Sequence, residues 1–215
     1  MDQPWSILEE NLDAPFVILL LGFLYIVLFG GLSLLRREGL SIRFAIEALV
    51  ITFATAGLTW VTGFTLHPVF FLLIVYLVTM RVRLLVDLAN TFARRGNYAT
   101  AEKVYGIAGH LWTDQTNRLI LVVNQGALRL HQGALDDAIS IFKDILAQSN
   151  HGFLGIRYES AAHYNLGVAY QRKGLESLEI VEFNNVLEIW PASEYARAAS
   201  SALARHKKNQ DQNQN

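Results

Sequence analysis

A chain of 215 residues that is 52% hydrophobic and 17% charged is too apolar and too sparsely charged for an ordinary water-soluble globule. Its net charge of −1 at pH 7 removes the overall basic character that would point to nucleic acid. The absence of cysteine excludes disulfides, thiolate nucleophiles and cysteine metal sites.

The N-terminal segment, residues 1–13, carries Asp2, Glu9, Glu10 and Asp13 and no Lys or Arg. That is the reverse of the basic head of a signal peptide, so the apolar run behind it reads as a retained span. From Ala14 to Leu35 there is no charge at all. About 20 apolar residues cross a bilayer core as a helix. Two further runs follow, and the spans are read at about 14–35, 43–63 and 67–82, a membrane domain over 14–81. Helices are expected because an isolated spanning strand would leave its backbone groups unpaired in lipid. Pro68 suits the first turn of the third span, where its missing N–H is not needed.

Two features of the second span stand out. Ala48, Thr52 and Ala56 recur every four residues, an interval of small side chains that permits close helix packing in lipid. They can face span one, span three or a partner's helix. Glu47 is the second feature. An ionisable group in a span is a functional candidate, yet Arg43 lies one turn back and offers a purely structural ion pair.

Basic residues set the expected topology. Arg36, Arg37 and Arg43 outnumber Glu38 in the first connection, and Arg81, Arg83, Arg94 and Arg95 follow the third span. The second connection, around His67 and Pro68, has no Lys or Arg. Positive loops stay cytoplasmic. The expectation is an integral membrane protein, of a bacterial inner membrane, with its N-terminus outside and residues beyond 82 in the cytoplasm.

After Arg81 the pattern changes. Three segments each show a helical apolar stripe, a turn at Gly96, Gly133 or Gly174, and a second helical stripe. The first supplies Leu85, Leu88-Ala89, Phe92, Tyr98, Ala101, Tyr105 and Ala108 around its glycine. The second supplies Val122, Gly126, Leu135, Ala138 and Phe142; the third Asn165-Leu166-Gly167, Tyr170, Phe183 and Pro191. In these residues the chain resembles the tetratricopeptide repeat (TPR) family. Arg129 stands where the pattern sets an aromatic, and Glu179 where it sets a small residue. The repeats are read at about 82–115, 119–150 and 160–193. A cap helix over 193–208 follows, with Ser193 as its N-cap, and the polar tail 209–215 is expected to be disordered.

The resemblance implies an all-α superhelix of helix pairs behind three transmembrane helices. It also implies a groove lined by the first helix of each pair. The matching positions include Arg83, Asn90 and Arg94 in the first repeat, Asn124 and His131 in the second, and Tyr164, Asn165, Gln171 and Arg172 in the third. Val86, Ala93, Ile120, Val123, Ala127, Leu130 and Val168 are the apolar members. The amides suit an extended peptide backbone and the arginines suit carboxylates.

No catalytic motif, no His pair at metal-ligand spacing and no phosphate-binding glycine loop is present in the sequence. No cofactor is implied. The reading is a non-enzymatic, membrane-anchored interaction scaffold or assembly factor that binds a protein segment. An integral accessory subunit of a larger membrane complex is the alternative, and a membrane enzyme or small transporter using Glu47 is a third.

Overall fold

The computed structural model describes residues 14–38, 41–111, 114–149 and 154–213, and all regular structure among them is helical. The helices are α1 (Ala14–Leu35), α2 (Ile42–Thr62), α3 (Pro68–Arg94), α4 (Tyr98–His110), α5 (Gln115–Gln132), α6 (Leu135–Ser149), α7 (Ile156–Lys173), α8 (Glu176–Ile189) and α9 (Glu194–Asn213). The segment 1–13 of the sequence reading lies outside the described residues. The chain divides into two compact units. One holds the described residues up to Ser33 together with Ser41–Arg81; the other holds the described part of 34–40 and the described residues from Val82 onward.

In the first unit, α1, α2 and α3 are long and apolar enough to cross a membrane. Ser41 starts α2 by accepting a hydrogen bond from the Phe44 N–H at 3.1 Å, and Gly63 ends it in a left-handed conformation (φ 69°). Their outward faces are strongly apolar: Trp60 is 77% exposed and Val61 82%. A face of this kind needs lipid or another helix against it. Inside, Ile18, Tyr25, Ala48, Ala56, Phe71 and Val75 form the core. Gly22 lets α1 approach α2 so closely that an added Cβ would meet the Thr52 side chain at 2.2 Å.

The third helix runs unbroken from Pro68 to Arg94. After Pro68 in its first turn no Gly or Pro interrupts this helix, so the sequence boundary near 82 falls inside a helix.

The second unit is a series of helical hairpins. Gly96, Gly133 and Gly174 make the turns at φ 75°, 80° and 71°, a region in which a side chain is strained. Each hairpin then repeats one packing device. A small residue on the first helix (Ala89, Gly126, Gly167) is followed sixteen residues later by an aromatic on the second (Tyr105, Phe142, Phe183), and all three aromatics are almost fully buried. A Cβ on Gly126 would sit 2.8 Å from Phe142 Cε1, and one on Gly167 2.6 Å from Phe183 Cε1. The rings fill the space that the missing side chains leave.

Both departures from the repeat pattern find partners. Arg129 donates to Glu102 at 2.6 Å and to Gln132 at 3.0 Å. Glu179 is buried, and its carboxylate accepts from Gln171 Nε2 at 2.7 Å.

The sequence reading needs three corrections to its boundaries. Helix α5 begins at Gln115 rather than 119, because Asp114 caps it by accepting from the Asn117 N–H at 2.9 Å. Helix α7 begins at Ile156 rather than 160. Helix α9, capped by Ser193 through the Ala196 N–H at 2.9 Å, continues to Asn213 and so covers most of the 209–215 tail expected to be disordered. Extending a formed helix needs no new nucleus, and no Gly or Pro stands in that tail to stop it. Ala196, Ala199 and Ala202 join Phe183 and Val186 in one core cluster.

Candidate partner-binding face

The hairpins place their first helices side by side. Arg83 on α3 points Nε at Asn117 on α5, at 3.5 Å. Asn90 on α3 donates from Nδ2 to Asn124 Oδ1 on α5 at 2.9 Å. Arg172 on α7 donates to the Leu130 carbonyl on α5 at 2.8 Å. Each of these bonds joins the first helix of one hairpin to the first helix of its neighbour.

Much of the expected ligand-binding polarity is therefore satisfied within the chain. Asn90 Oδ1 also accepts from the Tyr105 hydroxyl, and Asn124 Nδ2 donates to the Ile120 carbonyl at 2.7 Å. Gln171 is engaged by Glu179. Tyr164 is half-buried between Phe183 and Tyr195, with ring centroids 5.7 and 5.8 Å away. Arg94 is exposed and reaches Thr91 Oγ1 at 3.4 Å. His131 is exposed and Asn165 half-buried. Val86, Ile120, Val123 and Leu130, expected along the groove, are core residues 2–3% exposed. Sequence periodicity marks an apolar position on a helix but does not say which neighbour covers it.

The strongest polar constellation was missed by the sequence reading. Glu38, 6% exposed, lies between two arginines. Arg83 Nη1 donates to Oε2 at 2.8 Å and Arg157 Nη1 to Oε1 at 2.9 Å. The Arg157 N–H donates to the Arg37 carbonyl at 3.1 Å. The Arg37 guanidinium stands 5.6 Å from the centroid of the Trp190 ring, a cation–π distance. Burial, and then the Glu38 carboxylate, push the Tyr158 hydroxyl up to about 12. Burial, and then Asp87, do the same to Tyr105. In sequence Glu38 is one acid beside two arginines in a connection, and only the fold brings Arg83 and Arg157 to it.

In the other unit, Ala48, Thr52 and Ala56 are 0%, 2% and 6% exposed. Thr52 Oγ1 donates to the Ala48 carbonyl at 2.7 Å. Glu47 accepts from Arg43 Nε at 2.6 Å and from Arg81 Nη1 and Nη2 at 2.6 and 2.9 Å. Among the described residues no group of three His, Asp or Glu is placed to hold a metal ion. Comparison of the sequence with protein-family models finds no match, and comparison with curated proteins finds none either.

Proposed function

We propose that this chain is a membrane-anchored protein–protein interaction scaffold or assembly factor. Helices α1–α3 hold it in a bilayer, taken to be a bacterial inner membrane with the N-terminus outside. The hairpins from α3 to α9 form a TPR-like array in the cytoplasm, with α9 as its cap, and receive a segment of a partner protein.

One observation supports this reading most directly. Cross-hairpin hydrogen bonds at Asn90–Asn124 and Arg172–Leu130 link successive first helices, which is the arrangement that lines a groove in a repeat array. The device of a small residue and a buried ring sixteen residues on, repeated three times, supports the same architecture.

The accessory-subunit reading has its own support. An apolar groove of about 450 Å³ between α1 and α3 is lined by Leu24, Leu28, Phe29, Val69, Leu73 and Tyr76 among others. A further transmembrane helix fits such a surface.

Gentle detergent extraction followed by co-purification separates the two. On the scaffold reading, the intact chain retains its partner and a chain lacking the region after Arg95 loses it. Full retention by the shortened chain would assign the partner to the spans instead.

A further inference from the structure

We propose that Arg83 and Arg157 form a recognition site for a carboxylate in an acidic peptide segment of the partner, and that the chain's own Arg37–Glu38 holds this site in cis until the partner displaces it. The inference rests on the scaffold reading and names the chemistry of the segment bound.

Residues 37 and 38 lie at the turn that ends α1, with Arg37 in a left-handed conformation (φ 55°), and they are held through three kinds of contact. The side-chain carboxylate gives one oxygen to each guanidinium. The main chain is read once, through the Arg157 N–H and the Arg37 carbonyl. The neighbouring side chain is read by an aromatic face, Trp190. Side-chain, backbone and cation–π contacts are three separate modes of peptide recognition, and all fall on two consecutive residues.

Charge favours exchange for another acid. Arg83, Arg94 and Arg157 all act on Asp87, as does Glu38, so arginines outnumber carboxylates among these groups. Removing Glu38 without replacement would strand two arginines side by side, a costly state. Replacing it with an incoming carboxylate conserves every charge-assisted bond. An approach exists, because the Arg157 side chain is 39% exposed although that of Glu38 is only 7% exposed. Tethering gives the cis occupant an effective concentration on the order of millimolar. A partner must therefore add contacts beyond the carboxylate, and the rest of the first-helix face offers them at Arg94, His131 and Asn165.

The test uses the full chain in detergent micelles and a fluorescent, end-blocked peptide copying residues 33–38. Fluorescence anisotropy should show at least tenfold tighter binding to the Arg37→Ala/Glu38→Ala double variant than to the unaltered chain. The peptide with Gln in place of its Glu should lose most of that gain, as should a variant further altered by Arg157→Gln. Equal binding to the double variant and the unaltered chain would overturn the proposal, and so would indifference to the peptide's carboxylate. Hydrogen exchange on the unaltered protein avoids reliance on a variant that fails to fold. Millimolar peptide should speed exchange at the Arg157 amide and in the 34–38 segment, and unchanged protection there would equally overturn it. A partner that co-purifies through the hairpins while both peptide tests fail would sink this inference alone. Peptide exchange without any such partner would sink the scaffold reading instead.

Discussion

Phe183 packs so tightly on Gly167 that a single added methyl on the glycine would come within 2.6 Å of the ring. The ring is fully buried, so it has nowhere to withdraw. Gly167→Val should destabilise the second unit by about 2–3 kcal/mol through overpacking. Gly174→Val meets open space but a left-handed backbone, and should cost about 1–2 kcal/mol through strain alone. Urea unfolding followed by circular dichroism checks both. Unchanged stability in Gly167→Val would mean that the ring and the glycine do not define the hairpin.

Glu179 stands where two other hairpins place a buried alanine, Ala101 and Ala138. Its carboxylate is sustained by Gln171 at 2.7 Å. Gln171→Ala should cost about 1–3 kcal/mol, because the buried acid loses a donor. Glu179→Ala should cost little, since alanine already serves at the equivalent positions. The double variant should resemble Glu179→Ala rather than the sum of the two. A double-mutant cycle read by thermal unfolding measures that coupling, and strict additivity would contradict the pairing.

Tyr105 and Tyr158 both titrate at about 12 when folded, against an ordinary value near 10. Burial disfavours their charged forms. At neutral pH both are protonated whether the chain is folded or unfolded, so their contribution to stability is fully present there. Above pH 10 the unfolded chain releases these protons while the folded one retains them, and stability falls progressively towards pH 12. Absorbance at 295 nm should show tyrosines that ionise late, together with loss of helix. Replacing both residues by Phe should shift the alkaline unfolding transition upward.

Glu47 neutralises one of two neighbouring guanidiniums, Arg43 and Arg81. With its side chain 20% exposed, Glu47→Leu should destabilise the first unit by about 1–3 kcal/mol, less than for a fully buried pair. On the scaffold reading Glu47→Gln retains partner binding, because the group is structural. Loss of a cellular function by Glu47→Gln with unchanged thermal stability would favour the enzyme or transporter reading.

How legible the molecule was in its sequence depends on the range of the interaction. The membrane-length helices were readable because a charge-free run such as 14–35 is a local property. The hairpins were readable because each turn glycine, Gly96, Gly133 and Gly174, is followed at the same offset by an aromatic, Tyr105, Phe142 and Phe183, within a helical apolar stripe. Helix starts were read less well: Asp114 is a cap by its position before a helical stripe, and the reading passed over it. The site was the least legible part. The amides at Asn90 and Asn124 look like free peptide-binding groups until the fold shows them bonded to each other. Glu38 and Arg157 lie 119 residues apart in sequence and meet only after the hairpins assemble.

The central claim is that lipid holds the front of this chain while the first helices of its hairpins hold another protein. Site-specific photo-cross-linking of the full chain in native membranes tests it most directly, with the probe at His131 or Asn165 on the hairpins and at Phe53, 63% exposed on α2, as the comparison. The account predicts a discrete protein adduct from His131 and Asn165, and lipid alone from Phe53. A protein adduct from Phe53 with none from either hairpin position would contradict it.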